Sequence, residues 1–414
     1  MEKHSHIFRR FIAFGNMYDG YLLARRHKRK KGEVLEYSAN LEDNLLYDQE
    51  RLENKTYHTG KPQPFFEWFP KKRLIHSLPF NDRVVNCAAY LQLWPIYCKS
   101  FYEHSYGSIP GGGTLKAIKR LQDWMRMVQH KPGWVIGKMD VAKFFFRIPT
   151  EVQLRELGRP LDDPDMMWFL ETAIRCDGRA FGLPLEYDDV ATAERVPGRG
   201  MQVGSLISQM SANVVLTPLD HYIKRVLRIP YYIRYMDDMV FLCESRQQAW
   251  EATQACDEFL RSGFGLQLNH KTAVMPVRHG VEFIGRNVYL DRVQLRKGTT
   301  LRMKQHLAYV MKHYALGELE LDHCISVFIS YYLGLLPHTN SEALRRKILD
   351  SFVLVRNVEQ YRETIGYRSS GKQFEDFAPG YGYGRREPLC WGGGRTDDEW
   401  PDYDDCKHCR CYST

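Results

Sequence analysis

The chain has 414 residues, 44% of them hydrophobic, 26% charged and 13% aromatic, which is the composition of a folded globular protein long enough for two or three subdomains. Its net charge of +8, from 58 Lys and Arg against 50 Asp and Glu, favours a polyanionic partner. No apolar run approaches the roughly 18 residues a membrane helix needs, and MEKHSHIFRRFIAFGN lacks the apolar core and cleavage site of a signal peptide, so the expected location is the cytoplasm, with no membrane partner.

Residues 1–60 read as mostly helical and polar-faced, ending in the turn-like NKTYHTG, and they carry a basic run of Arg25, Arg26, Lys28, Arg29, Lys30 and Lys31. Residues 61–120 mix short strands with a helix over VVNCAAYLQLWPIYCKSF, followed by the Gly-rich turn SIPGGGT. A helix from Leu115 to Val128 leads into an expected strand, WVIGKMDVAKFFF, closed by Pro149. A helical stretch over 151–177 and an irregular segment, 178–200, precede one long helix through VGSLISQMSANVVLTPLDHYIKRVL.

YYIRYMDDMVFLCE then reads as two short strands flanking Asp237 and Asp238, a hairpin by pattern. A helix (Gln247–Arg261), two further strands (AVMPV and GVEFIGRNVYL) and helices over 301–358 follow. From 367 to 414, Gly, Tyr, Pro and Asp dominate and periodicity vanishes, the mark of a loosely ordered tail. Cys87, Cys98, Cys176, Cys243, Cys256 and Cys324 are scattered through apolar segments, where reduced buried thiols are expected in place of a disulfide framework.

Phosphoryl transfer onto a growing 3′ end uses two divalent ions, and magnesium takes hard oxygen ligands, usually one or two carboxylates plus substrate phosphates. The protein must therefore bring carboxylates together from separate elements. Asp140 at a strand end and Asp237 at a hairpin turn, with Asp238 alongside, satisfy this. Paired acids also favour turns for conformational reasons, so the apolar strands on either side and the earlier strand-borne Asp carry the signal.

Over residues 55 to 350 the chain resembles a reverse transcriptase, motif by motif and in order. KKRLIHSLPFNDRVVN and SYGSIPGGGTLKAI resemble the two fingers motifs, MDVAKFFFRI the motif of the first metal-binding Asp, and VGSLISQ the glycine-containing motif. YMDD is the family's best-known signature, and LNHKT and VEFIGRNVYL resemble the palm motifs after it.

The resemblance implies an α+β right-hand polymerase fold: an RNA-contacting helical region at 1–60, fingers at 61–135, a palm with an antiparallel sheet at 136–292 carrying a fingers insertion at 151–200, a helical thumb at 293–360, and a tail at 361–414. It implies an RNA-directed DNA polymerase with two Mg²⁺ ions, Mn²⁺ being an alternative, on Asp140, Val141, Asp237 and Asp238. Around the dNTP it places Lys72 and Arg73 at the triphosphate, Val141, Phe145 as a steric gate against the ribose 2′-OH, Gly204 and Gln209 beside the base pair, and Lys271 as a proton donor to leaving pyrophosphate. Along the triple Phe144, Phe145 and Phe146, alternation of strand faces puts Phe145 toward the nucleotide and Phe144 in the core.

Duplex grip falls to the predicted thumb helix with Arg296, Lys297, Arg302 and Lys304, joined by His306, Lys312 and His313. The N-terminal run Arg25, Arg26, Lys28, Arg29 and Lys30 is the expected seat of a structured noncoding RNA; an accessory protein is a further expected partner.

Two places depart from the family pattern. The second fingers motif has Ile109 and Leu115 where bacterial relatives carry a basic residue and a His, with Gly111, Gly112 and Gly113 between, so Lys116, Lys119 or Arg120 becomes the alternative contact. The glycine motif ends in Ser208-Gln209, not the Ser-Pro of group II intron enzymes, which resembles the enzymes of diversity-generating retroelements and prophage or antiviral-defence reverse transcriptases.

A group II intron maturase and an RNA-dependent RNA polymerase remain the alternative readings, the latter opposed by Phe145 where a second Asp is usual. A non-enzymatic scaffold is opposed by the intact acids. Cys390, Cys406, Cys409 and Cys411 form a candidate zinc set with cramped spacing, and tail tyrosines are candidate primers of synthesis.

Overall fold

Four short helices open the chain: α1 (Ile7–Phe11), α2 (Phe14–Ala24), α3 (Gly32–Ala39) and α4 (Leu41–Glu53). The computed structural model describes residues 3–67, 73–176, 180–183 and 195–361. Contacts divide the chain into two units, Met1–Phe65 with Leu74–His279, and Phe66–Arg73 with Gly280–Thr414. A strand pair, β1 (Gln63–Glu67) and β2 (Arg73–Ser77), lies at their sequence boundary.

In the first unit, α5 (Phe80–Tyr97) is the central helix of an all-helical layer. Val84, Val85, Ala88, Ala89 and Leu93 on it are fully buried, and Gly20 of α2 lies so close to it that a Cβ there would stand 2.7 Å from Ala88. Next come α6 (Thr114–Val128), β3 (Val135–Asp140), α7 (Phe144–Arg147), α8 (Thr150–Gly158) and α9 (Pro164–Arg175).

Asp163 caps α9 conventionally, accepting from Met166 N at 3.0 Å, with Pro164 at the first helical position. Its other oxygen accepts from Ile7 N at 2.6 Å and Phe8 N at 2.9 Å. One carboxylate thus ends two helices that are 156 residues apart in sequence.

The remaining elements of this unit are α10 (Leu206–His221), β4 (Tyr231–Tyr235), β5 (Asp238–Cys243), α11 (Arg246–Phe264) and β6 (Ala273–Pro276). Strands β4-β5-β3-β6, in that order, form a four-stranded sheet, antiparallel throughout. Met139, Tyr232, Phe241 and Cys243 pack from the sheet into one core with Val215, Leu216 and Leu219 of α10 and Ala249, Cys256 and Leu260 of α11.

The second unit contains a three-stranded antiparallel sheet, β7 (Val281–Phe283), β8 (Arg286–Val288) and β9 (Val293–Leu295), and the helices α12 (Lys297–Ala315), α13 (Leu321–Ile329) and α14 (Glu342–Ser351). Met303, Leu307, Tyr331, Leu336 and Ile348 form its core. No helix among the described residues is long and apolar enough to cross a membrane.

Several expectations are corrected. The strand does not run through Phe144–Phe146: it ends at Asp140, and Lys143, in a left-handed conformation with φ 50°, starts the helical turn α7. GVEFIGRNVYL is not one strand but the β7–β8 hairpin, turned at Ile284 and Gly285, which have φ 51° and 69°. The long helix begins only at Leu206 and continues through a π-helical turn, Tyr222–Val226. α12 starts at Lys297, which leaves Arg296 at its N-cap, off the helix. Of the six cysteines described, all have free thiols, and Cys87, Cys176, Cys243, Cys256 and Cys324 are buried.

Candidate active site

β3 is buried except at Lys138 and its last residue, Asp140, which share one face. Antiparallel register sets Asp140 directly opposite Asp238, the first residue of β5, so both side chains leave the same face at the same end of the sheet. Asp237 sits in the two-residue connection between β4 and β5, after Met236, whose φ is 55°. All three acids are partly exposed.

Two neighbours tie them down. Asn269 donates from its backbone to the Asp140 carbonyl at 2.7 Å and from Nδ2 to Asp140 Oδ2 at 3.3 Å. Lys138, two residues before Asp140 and so on the same face, places Nζ 3.8 Å from Asp238 Oδ1. Neither residue was singled out in the sequence, although Asn269 lies in the LNHKT motif and strand alternation alone would have put Lys138 beside the acids.

Beneath the turn lies a buried polar network. Arg234, fully buried, holds Asp220 with Nε at 2.8 Å and Nη2 at 2.6 Å. Its Nη1 donates to Asn213 Oδ1 at 3.0 Å and to the Met236 carbonyl at 3.2 Å. Tyr232 OH adds a 2.7 Å bond to Asp220. Burial works against the Arg234 charge, but Asp220 first and Tyr232 and Asp237 after it more than compensate, and its pKa is raised.

Val141 is buried and bridges to Leu268 in the segment before Asn269, while Ala142 N donates to Gln267 O at 2.9 Å. Phe144 belongs to the core at 1% exposure. Phe145 is half-buried against its ring at a centroid distance of 5.4 Å, and its carbonyl accepts from Met201 N at 2.7 Å.

Gly204 has φ 110°, and a Cβ there would meet Ile75 at 3.0 Å, so a residue with no side chain fits both the backbone and the space. Gln209 is in the first turns of α10 and half-buried; Lys271 is exposed in the turn after Asn269, its N–H bonded to Asn269 Oδ1 at 3.1 Å.

The remaining candidates divide. Lys72, the Arg73 side chain and Cys390, Cys406, Cys409 and Cys411 lie outside the described residues. Within the basic run, Arg26, Arg29 and Lys30 are exposed, but Arg25 folds over the Tyr21 ring at 4.8 Å, and burial followed by the Arg83 charge lowers the pKa of Lys28. In the second unit Lys297 is exposed and Arg302 half-buried, whereas Arg296 pairs with Glu282 at 2.7 Å and burial, then Lys347, lowers the pKa of Lys304.

Among the described residues no group of three or more His, Cys, Asp or Glu side chains closes into a ready-made metal cage. The donor set suits magnesium nonetheless. It consists of carboxylate oxygens from two elements, facing outward, and Mg²⁺ usually completes such sites with water and substrate phosphates.

The family model for reverse transcriptase (RNA-dependent DNA polymerase) matches residues 61–288, more than half of the chain. Protein YkfC of Escherichia coli strain K12 is 23% identical over 256 residues, covering 54% of this chain and 64% of that protein. The putative COX1/OXI3 intron 2 protein of Saccharomyces cerevisiae is 20% identical over 292 residues, 57% of this chain and 33% of that one. The chain thus spans less than two thirds of the length of these curated relatives. Among solved structures, telomerase from Candida albicans with a fragment of telomeric RNA aligns at TM-score 0.41 and 14% identity, covering 74% of this chain and 56% of that one. Apo telomerase from Candida tropicalis aligns at TM-score 0.39 and 10% identity, with coverages of 61% and 60%. On the family match, which takes in β3, the β4–β5 hairpin and Asn269, this chain belongs to the reverse transcriptase family.

Proposed function

We propose that the protein is an RNA-directed DNA polymerase, adding dNTPs to a 3′ end on an RNA template. The observation that carries this reading is the placement of Asp140 opposite Asp238 at one sheet end, with Asp237 in the adjoining turn, inside a reverse transcriptase match. In this reading Asp140 and Asp237 hold magnesium, with Asp238 and the Val141 carbonyl alongside. Bound there, magnesium, or manganese in its place, activates the attacking 3′ oxygen and neutralises charge on the triphosphate.

The chain's own residues then have distinct tasks. Asn269 holds the Asp140 carboxylate in one orientation, and Lys138 offsets the repulsion between two facing acids. Phe145, half-buried, is the steric gate that a ribose 2′-OH would strike. Gly204 and Gln209 line the base pair, Lys72 and Arg73 meet the triphosphate, and Lys271 returns a proton to pyrophosphate.

In the domain scheme, residues 61–135 act as fingers, 136–292 as palm and 293–360 as thumb. Lys297 and Arg302 grip the duplex backbone without reading sequence. A structured RNA rests on Arg26, Arg29 and Lys30 of the 1–60 region, and a retroelement or antiviral-defence system is the proposed setting.

Extension of a DNA primer on a generic RNA template, with Mg²⁺ and either dNTPs or rNTPs, tests the reading. DNA-only extension is the expected result. Equal use of rNTPs would favour the RNA polymerase alternative.

A further inference from the structure

Met236 pays for its left-handed backbone with strain, since its φ of 55° is uncommon for a residue with a side chain. Something must hold it, because the direction in which the chain leaves Met236 decides where Asp237 points. Two contacts converge on this residue. Its carbonyl accepts from Arg234 Nη1 at 3.2 Å. Arg234 is itself locked by Asp220 and Asn213, and Arg234 and Asp220 are both 0% exposed. From the other side Gly107 presses so closely that a Cβ would stand 2.6 Å from Met236 N, while Asn213 Nδ2 holds the Gly107 carbonyl at 2.9 Å. The strand pairing continues this contact, with Arg234 N bonded to His104 O at 3.1 Å and Tyr106 N to Arg234 O at 2.9 Å.

We propose that Arg234, locked by Asp220 and Asn213 and backed by Gly107, is a positioning clamp that sets the Asp237 carboxylate for metal binding. The proposal rests on the reading of Asp140 and Asp237 as metal ligands. A buried ion pair gives little net stability, and an apolar replacement of like volume is often neutral or better. A clamp on the turn accounts for an arginine in particular: only its planar fork reaches two carboxylate oxygens, an amide oxygen and a backbone carbonyl together. Lysine keeps the charge and loses the fork.

The test is Mn²⁺ binding to the full chain, followed by electron paramagnetic resonance with a primer–template and a non-hydrolysable dNTP present, alongside thermal melting. Arg234→Lys is expected to weaken Mn²⁺ binding about 10- to 100-fold, the usual effect of losing a partner behind a ligand. Adding Met236→Gly to that variant should recover a substantial part, because glycine takes the left-handed conformation without strain.

Wild-type affinity in Arg234→Lys, or no recovery from Met236→Gly, overturns the clamp while leaving the polymerase reading intact. If Arg234→Lys melts before it can be assayed, Gly107→Ala decides. That variant keeps the ion pair and displaces Met236, so it must weaken Mn²⁺ binding too, and unchanged affinity overturns the proposal. A wild-type chain that binds no Mn²⁺ removes both the clamp and the reading beneath it.

Discussion

Asp140 and Asp238 face each other as a directly opposed pair across β3 and β5, with Lys138 Nζ on the same face 3.8 Å from Asp238. Like charges in directly opposed positions destabilise a sheet. Two facing acids are therefore expected to add little to folding, whatever they bind. Asp140→Asn should therefore abolish nucleotide addition while leaving the unfolding free energy unchanged or raised by up to about 1 kcal/mol. The amide can still accept from Asn269. Calorimetry on the variant checks this, and a clear loss of stability would show that the acid has a structural role instead.

The neighbouring phenylalanines should separate cleanly. Phe144, at 1% exposure, fills the core, and Phe144→Ala should cost roughly 3–5 kcal/mol. Phe145 is half-buried, so Phe145→Ala should cost less. It should instead raise rNTP use relative to dNTP use by about 10- to 100-fold, the range that one steric contact in a pocket supplies. Urea unfolding and competitive incorporation measure the two effects. An unchanged rNTP ratio in Phe145→Ala would end its assignment as gate.

Asp163 offers a stability test remote from the acids. Its carboxylate satisfies the N–H groups of Ile7, Phe8 and Met166, and it is 8% exposed. Removing it leaves orphaned donors at two helix starts. Asp163→Ala should lower unfolding free energy by roughly 2–4 kcal/mol, and Asp163→Asn by less. A shift in urea midpoint at constant slope is the expected signature.

Stability should also depend on pH through His306. Burial first, and then the neighbouring His323, push its pKa from 6.5 down to about 4. The unfolded chain therefore binds the extra proton between those values, so the contribution is complete above pH 6.5 and is lost as pH falls toward about 4. The slope reaches about 1.4 kcal/mol per pH unit for one such group. His76, lowered to about 4 by burial and then Arg195, acts in the same sense. Asp48, raised from 3.8 to about 6 chiefly by burial, acts in the opposite one, stabilising at low pH and losing that contribution as pH rises through about 6. His306→Asn isolates the first: its stability should vary less steeply between pH 4 and 6.5 than that of the wild type. Equal slopes would refute the assignment.

Much of this was legible in the sequence because the signals are local. Short apolar runs on either side of Asp237 and Asp238 point to a hairpin, and the observed β4 and β5 follow them. The single helical stretch read over 151–177 is split into α8 and α9 at Asp163-Pro164, and nothing local says that the Asp163 carboxylate also starts α1. Phe144–Phe146 has strand-forming composition, yet Lys143 turns left-handed between Ala142, which pairs with Gln267, and Phe145, which pairs with Met201, a tertiary choice invisible at this range. Ile284-Gly285 was missed as a turn because a β-branched residue rarely takes φ of 51°. The hold of Asn269 on Asp140 spans 129 residues and emerges only from the sheet order β5-β3-β6.

The central claim is that these acids work as a metal site for DNA synthesis. The most direct measurement is single-dNTP addition to a primer on an RNA template, with wild type and Asp237→Asn compared across a Mg²⁺ titration. Mg²⁺-dependent addition by the wild type, and its loss in the variant at every Mg²⁺ concentration with both proteins equally folded, is the expected result. Undiminished addition by folded Asp237→Asn would contradict it.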